Sequence, residues 1–200
     1  PAPSPQTKRS STGAATRTAP RTTTEAQEAP RPGRTFTQSE IAKQAEIATR
    51  TRDPKIAETI GWSYYNRDDF SSASYWFEQA AEWNPQSSDA MYGLALSKMR
   101  AGELTSAENL AKANQANPKM ETLLGDIYSR RATEAYELGR YKNSIKAFEQ
   151  AKMYRPLSRN EQIVEAWAYR QSGQTMEAAA MFENLYRAKP DQASADGLYS

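Results

Sequence analysis

Neither cysteine nor histidine occurs among the 200 residues. Their absence removes disulfides, thiol nucleophiles, histidine acid–base chemistry and the commonest zinc ligands together. It leaves the redox compartment open, because a chain without thiols suits either side of a membrane. No run of about 18 apolar residues is present, so the sequence predicts no membrane-spanning helix. Glycine-rich phosphate loops, nucleophile elbows and metal-spaced clusters are missing as well. Acids are plentiful, but they fall mostly on outer helix faces beside Lys or Arg, as a solvated surface does. A paired-carboxylate glycosidase site has no particular support. These exclusions point away from an enzyme, and no cofactor or metal is implied.

Large apolar side chains are scarce at one end. Residues 1–36 hold six of the eleven prolines and eight threonines, and, proline aside, Phe36 is their only apolar residue larger than Ala. They carry six Lys/Arg against two Glu, whereas the rest of the chain has twenty basic residues against twenty-two acidic. So little to bury cannot offset the entropy of ordering the backbone, so residues 1–36 are expected to be a disordered linker. The basic pI belongs to this tail (Lys8, Arg9, Arg17, Arg21, Arg31 and Arg34). Its charges are spread thinly, which argues for a solubilising linker and against a specific nucleic-acid partner. The chain opens on Pro1 and closes on Asp196-Gly197-Leu198-Tyr199-Ser200, which reads as the opening of another helix. Both ends are expected to be edges of something longer.

What the remainder does have is a repeat. Phe70-x-x-Ala73-x-x-x-Phe77-x-x-Ala80-x-x-x-x-Pro85 returns as Tyr141-x-x-Ser144-x-x-x-Phe148-x-x-Ala151-x-x-x-x-Pro156. Self-similarity at a period of this length signals stacked helix pairs. Phe70, Leu104, Tyr141 and Thr175 begin four copies of the second helix, spaced 34, 37 and 34 residues apart. Gly102, Gly139 and Gly173 lie two residues earlier, where the turn needs a left-handed residue, and Asp68 stands there in the first copy. The three extra residues fall at Pro118-Lys119-Met120, predicting a longer loop. First helices are expected over 55–67, 88–100, 121–138 and 159–172, from apolar or small residues at three-and-four spacing. Pro85, Pro118, Pro156 and Pro190 are expected to stop the second helices. Small residues Gly61, Ala95, Ala132 and Ala166 oppose Ala73, Ala107, Ser144 and Ala178, where paired backbones must approach.

This pattern resembles the tetratricopeptide repeat. Gly61, Tyr64, Ala73, Phe77, Ala80 and Pro85 match the family's repeat positions in the first copy; Ala166, Tyr169, Ala178, Phe182, Leu185 and Pro190 match them in the fourth. The resemblance covers roughly residues 54–190, with a further start after Asp191. The second copy departs most: Lys98 replaces the aromatic, Ala111 the large residue and Asn114 the small one, and Pro118 comes one residue early. The implied fold is all-α, a right-handed α-solenoid of about four helix-turn-helix units over 54–200. The units run over about 54–87, 88–120, 121–158 and 159–192, with another helix starting in 193–200. Residues 37–53 are expected to add an amphipathic helix, capped by Thr37 or Ser39, as a degenerate half repeat or a capping helix.

The resemblance further implies a concave groove lined by the first helices, with partner-facing residues at five positions of each copy. In order these are Lys55, Glu58, Trp62, Tyr65 and Asn66; then Asp89, Tyr92, Leu96, Met99 and Arg100. The third copy gives Asp126, Ser129, Thr133, Tyr136 and Glu137, and the fourth Asn160, Ile163, Trp167, Arg170 and Gln171. The candidate partner-binding set is Trp62, Tyr65, Asn66, Tyr92, Met99, Arg100, Tyr136, Trp167 and Arg170. Its aromatics are expected to form a stripe with polar edges, the residue types enriched at binding hot spots. Packing against the next repeat is the competing role for any single ring. Asn66 matches one position of the clamp by which some family members hold a C-terminal carboxylate. Arg100 and Glu137 stand at the next two, which disfavours capture of a chaperone tail.

The expected function is a non-enzymatic scaffold holding a peptide or helix of a protein partner. A Pro/Thr-rich segment before such repeats, with a first helix of the type AWAYRQSGQ, looks like bacterial cell-envelope proteins that organise secretion of cellulose or other exopolysaccharides. That likeness implies a periplasmic setting. Two alternatives stay open: polysaccharide binding with Trp62, Tyr65 and Trp167 stacked on sugar rings, and the non-catalytic part of a larger enzyme.

Overall fold

A computed structural model of the chain describes residues 35–199. Among the described residues ten helices and no strand follow one another: α1 (Gln38–Thr51), α2 (Pro54–Tyr65), α3 (Phe70–Trp83), α4 (Ser88–Arg100), α5 (Leu104–Ala113), α6 (Pro118–Glu137), α7 (Tyr141–Lys152), α8 (Arg159–Gln171), α9 (Thr175–Ala188) and α10 (Gln192–Tyr199). The expectation of a disordered linker falls, for residues 1–34, outside the described residues.

The two kinds of helix are started by different chemistry, except that the second helix α3 also has a side-chain cap, Asp69 accepting from the Ser72 N–H (3.0 Å). First helices have side-chain caps: Asp53 accepts from the N–H groups of Lys55 and Ile56, Ser87 from Ala90, Asn117 from Lys119 and Ser158 from Glu161. Each satisfies backbone donors that the first turn leaves without partners. Second helices α5, α7 and α9 start at Glu103, Arg140 and Gln174 with no side-chain cap. Here the preceding turn sets the start. Gly102, Gly139 and Gly173 take φ of 86, 70 and 89°, and Asp68 takes 58° in the first copy. The next N–H then reaches back to the preceding helix: Asp69 to Tyr64 O (3.1 Å), Glu103 to Lys98 O (2.9 Å), Arg140 to Ala135 O (2.8 Å), Gln174 to Tyr169 O (3.0 Å). This left-handed closure satisfies orphan carbonyls and reverses the chain within a few residues.

Four hairpins, α2–α3, α4–α5, α6–α7 and α8–α9, stack in sequence. Each second helix also packs on the first helix of the next pair, and α9 packs on α10. Successive first helices touch one another from α2 to α10, whereas no second helix touches another second helix. The first helices therefore form one wall of an α-solenoid and the second helices the other. α1 packs on α2 alone, in the place a second helix would take, with Ile41 and Ala48 buried. Its capping box joins Thr37 and Glu40, which settles the choice between Thr37 and Ser39.

Close packing concentrates at one aromatic position. Phe77, Phe148 and Phe182 are fully buried. Phe77 lies against Gly61 of its own repeat and Gly93 of the next, and Phe182 lies against Gly197 of α10. The second copy has Ala111 at that position. Its core cluster instead draws on Met120, Leu123, Leu124 and Ile127 of α6, each at most 2 % exposed.

Two boundaries differ from the sequence reading. The expected loop at 118–120 is helix: α6 begins at Pro118, so this proline opens a first helix rather than stopping α5. At the first helical position its missing N–H would have been unpaired anyway. Burial of Met120 rewards the extra turn. Phe36, assigned to the linker, belongs to the folded unit, since it is 7 % exposed and shares a core cluster with Ile41 and Ile60. Its N–H donates to Ser63 Oγ (2.7 Å) and its carbonyl accepts from Arg67 (2.7 Å).

Candidate partner-binding surface

Burial divides the nine expected partner-binding residues into two groups. Trp62, Tyr65, Tyr92, Met99 and Trp167 are interior, each between 3 and 9 % exposed. The expected open aromatic stripe is corrected accordingly. Trp62 stands edge-on to Phe77 (ring centroids 4.9 Å) and Tyr65 (5.5 Å), and Trp167 repeats the arrangement with Phe182 (5.1 Å). These rings fill the gap between a first helix and its own second helix, and the neighbouring first helix closes over them. Edge-to-face contact of this kind favours rigid packing.

Asn66, Arg100, Tyr136 and Arg170 are half-buried, at or near the C-terminal ends of α2, α4, α6 and α8. Asn66 and Arg100 stand at the same repeat position and Tyr136 and Arg170 one position earlier, so the four form an accessible row along the ends of touching first helices. The Arg100 guanidinium lies over Phe70 (4.9 Å) and Tyr65 (5.8 Å) and pairs with Asp68 at 3.5 Å. Arg170 lies over Trp167 (5.9 Å) and donates to the Gly197 carbonyl (2.9 Å). The buried rings thus hold both guanidinium groups in place. Tyr136 packs on Tyr141 at 5.6 Å, and burial, with Tyr141 beside it, pushes its hydroxyl up to about 12. Burial does the same to Tyr92, also to about 12, so both phenols stay protonated donors. Asn66 Oδ1 is buried without a hydrogen-bond partner.

Other expected groove residues are committed to the joints between repeats. Glu58 accepts from Ser87 Oγ (2.5 Å) and pairs with Lys55 (2.8 Å). Lys119 pairs with Asp89 (3.4 Å) and covers the Tyr92 ring (5.3 Å). Arg155 grips Asp126 (2.6 Å), Ser129 (3.2 Å) and Glu161 (2.7 Å), while its stem passes over Gly125, where a Cβ would lie 2.6 Å from Arg155 Cγ. Arg159 pairs with Asp191 (2.9 Å). Sequence reasoning missed Arg155, Lys119 and Arg159. Their signal was the recurrence of opposite charges about one repeat apart.

The same joints set the unusual acidities. Burial pushes the Glu161 carboxyl up, but hydrogen bonds from Arg155, the Ser158 backbone and Ser129 outweigh it and hold the group at about 2. Glu108 behaves alike. Burial is outweighed by Lys112, Tyr128 and Arg131, again leaving it at about 2. Asp126 goes the other way, raised by burial despite Arg155. Each perturbed acid is tied into an internal network, so none presents a free base.

A cavity of about 350 Å³ opens at the α6–α7 turn, lined by Gly139, Arg140, Tyr141, Lys142, Asn143 and Ser172. No group of three acids placed to hold a metal occurs among the described residues. Nor is any described helix long and apolar enough to cross a membrane.

Sequence models described as tetratricopeptide repeat match residues 59–120 and 163–199, and another of the same description matches 124–156. Among solved structures, MamA of AMB-1 superposes with a TM-score of 0.51 at 19 % identity, over 80 % of this chain and 86 % of that one. A thermophilic repeat protein of Thermus thermophilus gives a TM-score of 0.41 at 18 % identity, over 72 % and 79 % of the two chains. At 19 % identity the likeness to MamA speaks for the fold alone. No curated protein matches this chain.

Proposed function

Since the chain belongs to the tetratricopeptide repeat family, whose repeats mediate contacts between proteins, we propose that it is a non-enzymatic scaffold that binds a peptide or helix of a partner along its first-helix wall. The observation that carries this reading is the continuous wall from α2 to α10 with a half-buried row of Asn66, Arg100, Tyr136 and Arg170. Arginine and tyrosine held rigid by packing lose little freedom on binding, which favours affinity. The interior rings support this row from behind.

A photo-crosslinking side chain at position 66, 100 or 136 should capture the partner. The same probe at Tyr75 or Met153, exposed on second helices or their ends, should not. Capture from positions 75 and 153 alone overturns the assignment.

Stacking of sugar rings on Trp62, Tyr65 and Trp167 is not favoured, because a sugar platform needs an open ring face and both tryptophans are 7 % exposed. For the setting, we propose a bacterial envelope assembly that makes or exports an exopolysaccharide. This rests on the sequence likeness of the Pro/Thr-rich segment and the repeats that follow it. Fractionation of source cells tests it, and recovery from the cytosol alone overturns it.

A further inference from the structure

Beyond the first-helix wall, we infer that the cavity at the α6–α7 turn is a docking pocket for an acidic segment of a protein partner. Its lining comes from two repeats, Gly139 to Asn143 of the third and Ser172 of the fourth. Arg140 and Lys142 bring two positive charges to it. Elsewhere on the stack many basic side chains meet acids, such as Lys112 and Arg131 on Glu108, Lys152 on Glu165, and Arg155 on Asp126 and Glu161, while Lys43, Arg50, Arg52, Arg67, Arg170 and Lys189 have no ion pair among the described residues. Arg140 and Lys142 have no ion-pair partner among the described residues, and neither has Lys146, one turn further along α7. Two lysines four apart on a helix repel each other. A local arrangement that weakens the helix with no internal compensation is what a surface kept for a partner shows.

The charge decides the sign of the partner, and the scale of the recess decides its kind. A cluster of three cations is too short to track a nucleic-acid backbone, whose affinity accumulates over many phosphates. Carboxylate side chains reach into such a recess singly and are held by charge-assisted hydrogen bonds. The pocket is also continuous with the accessible row, since Tyr141 in its lining packs on Tyr136 at 5.6 Å.

Fluorescence anisotropy of a labelled oligo-glutamate peptide, against an oligo-glutamine control, tests this on the full chain. The six basic tail residues then contribute equally to every variant. Charge reversal, R140E with K142E, should weaken glutamate binding about tenfold or more, and R140K with K142R should preserve it. A wall variant remote from the pocket, N66A, should leave it unchanged, so that failure of the pocket and failure of the wall are told apart. Equal binding by the charge-reversed chain overturns the pocket. So does tighter binding of an oligothymidylate or of phosphatidylserine vesicles that the same reversal abolishes, because either would make the cluster a general polyanion patch. Matching circular-dichroism melts confirm that the substitutions at exposed Arg140 and Lys142, and at half-buried Asn66, leave the fold intact.

Discussion

Phe77 sits between two glycines of successive repeats, and there the tolerance of the stack is smallest. A Cβ built at Gly93 would lie 2.6 Å from Phe77 Cδ1, and the ring, fully buried, has no space to retreat into. Gly93→Ala should therefore cost about 1–3 kcal/mol in urea denaturation, as overpacking does. Adding Phe77→Leu should return part of that loss, a coupling of about 0.5–3 kcal/mol between touching residues. Strict additivity would show that crowding is not the cause. Gly102→Ala differs in kind: the new Cβ meets nothing within 4 Å, but φ is 86°. Its cost, about 1–2 kcal/mol of left-handed strain, should not respond to Phe77→Leu. Charged residues give a second local prediction. Glu108 and Glu161 sit at about 2 when folded, against an ordinary 4.5. A lowered carboxyl stabilises fully above its unfolded value, and that contribution is lost as pH falls from about 4.5 toward 2. Asp126, raised by burial, opposes them at neutral pH and relaxes on acidification. Asp191, held at about 2 by Ser194 and Arg159, joins Glu108 and Glu161, and three against one predicts a net loss in acid. Glu161→Gln should flatten the dependence of unfolding free energy on pH across that window; an unaltered slope refutes the assignment.

Among the elements, α6 departs most from its neighbours, with 20 residues against 12 or 13 in the other capped first helices. Its added first turn is held by Asn117, by Lys119 on Asp89, and by Met120 in the core. Met120→Ala should cost about 2–5 kcal/mol, and the exposed neighbour Thr122→Ala within about 0.5 kcal/mol. Equal small effects would mean that this turn is an unpacked appendage. An Asn-Pro pair stands at both 84–85 and 117–118, yet Asn84 ends α3 while Asn117 begins α6. Local sequence cannot separate these roles, because Pro suits the residues after a helix and its first turn alike. What decides is whether Met120 finds a core to enter, and that core is built by residues of other helices in the cluster it joins. Gly102, Gly139 and Gly173 were legible for the opposite reason: a left-handed turn depends on its own few residues. The candidate surface was half legible. Periodicity placed Trp62 and Trp167 on the correct helices, but their exposure depends on how closely successive first helices approach, which no single repeat encodes.

Across the whole molecule, the core is a chain of clusters rather than one interior. Phe36 to Ala90 form one, Trp62 to Val164 a second, and Ile163 to Leu185 a third. Tyr136 packs against both the second and the third. Leu157 and Val164 join the α6–α8 junction to the second cluster, and Arg155 adds a polar joint through Asp126, Ser129 and Glu161. In a stack whose stability is nearly a sum over neighbours, a lesion at one end should be felt mainly there. Phe182 is the sensitive point of the last cluster, fully buried and resting on Gly197 of α10. Phe182→Ala should cost about 3–5 kcal/mol. Native-state hydrogen exchange should show that loss as faster exchange throughout α8, α9 and α10, with α2 and α3 close to their original protection. Combining it with Arg155→Ala should widen the gap, because the polar joint then transmits less of the remaining stability to α8. If protection instead falls evenly from α2 to α10, the repeats unfold as a single unit, and the wall must be regarded as one rigid surface and not as a series of coupled segments.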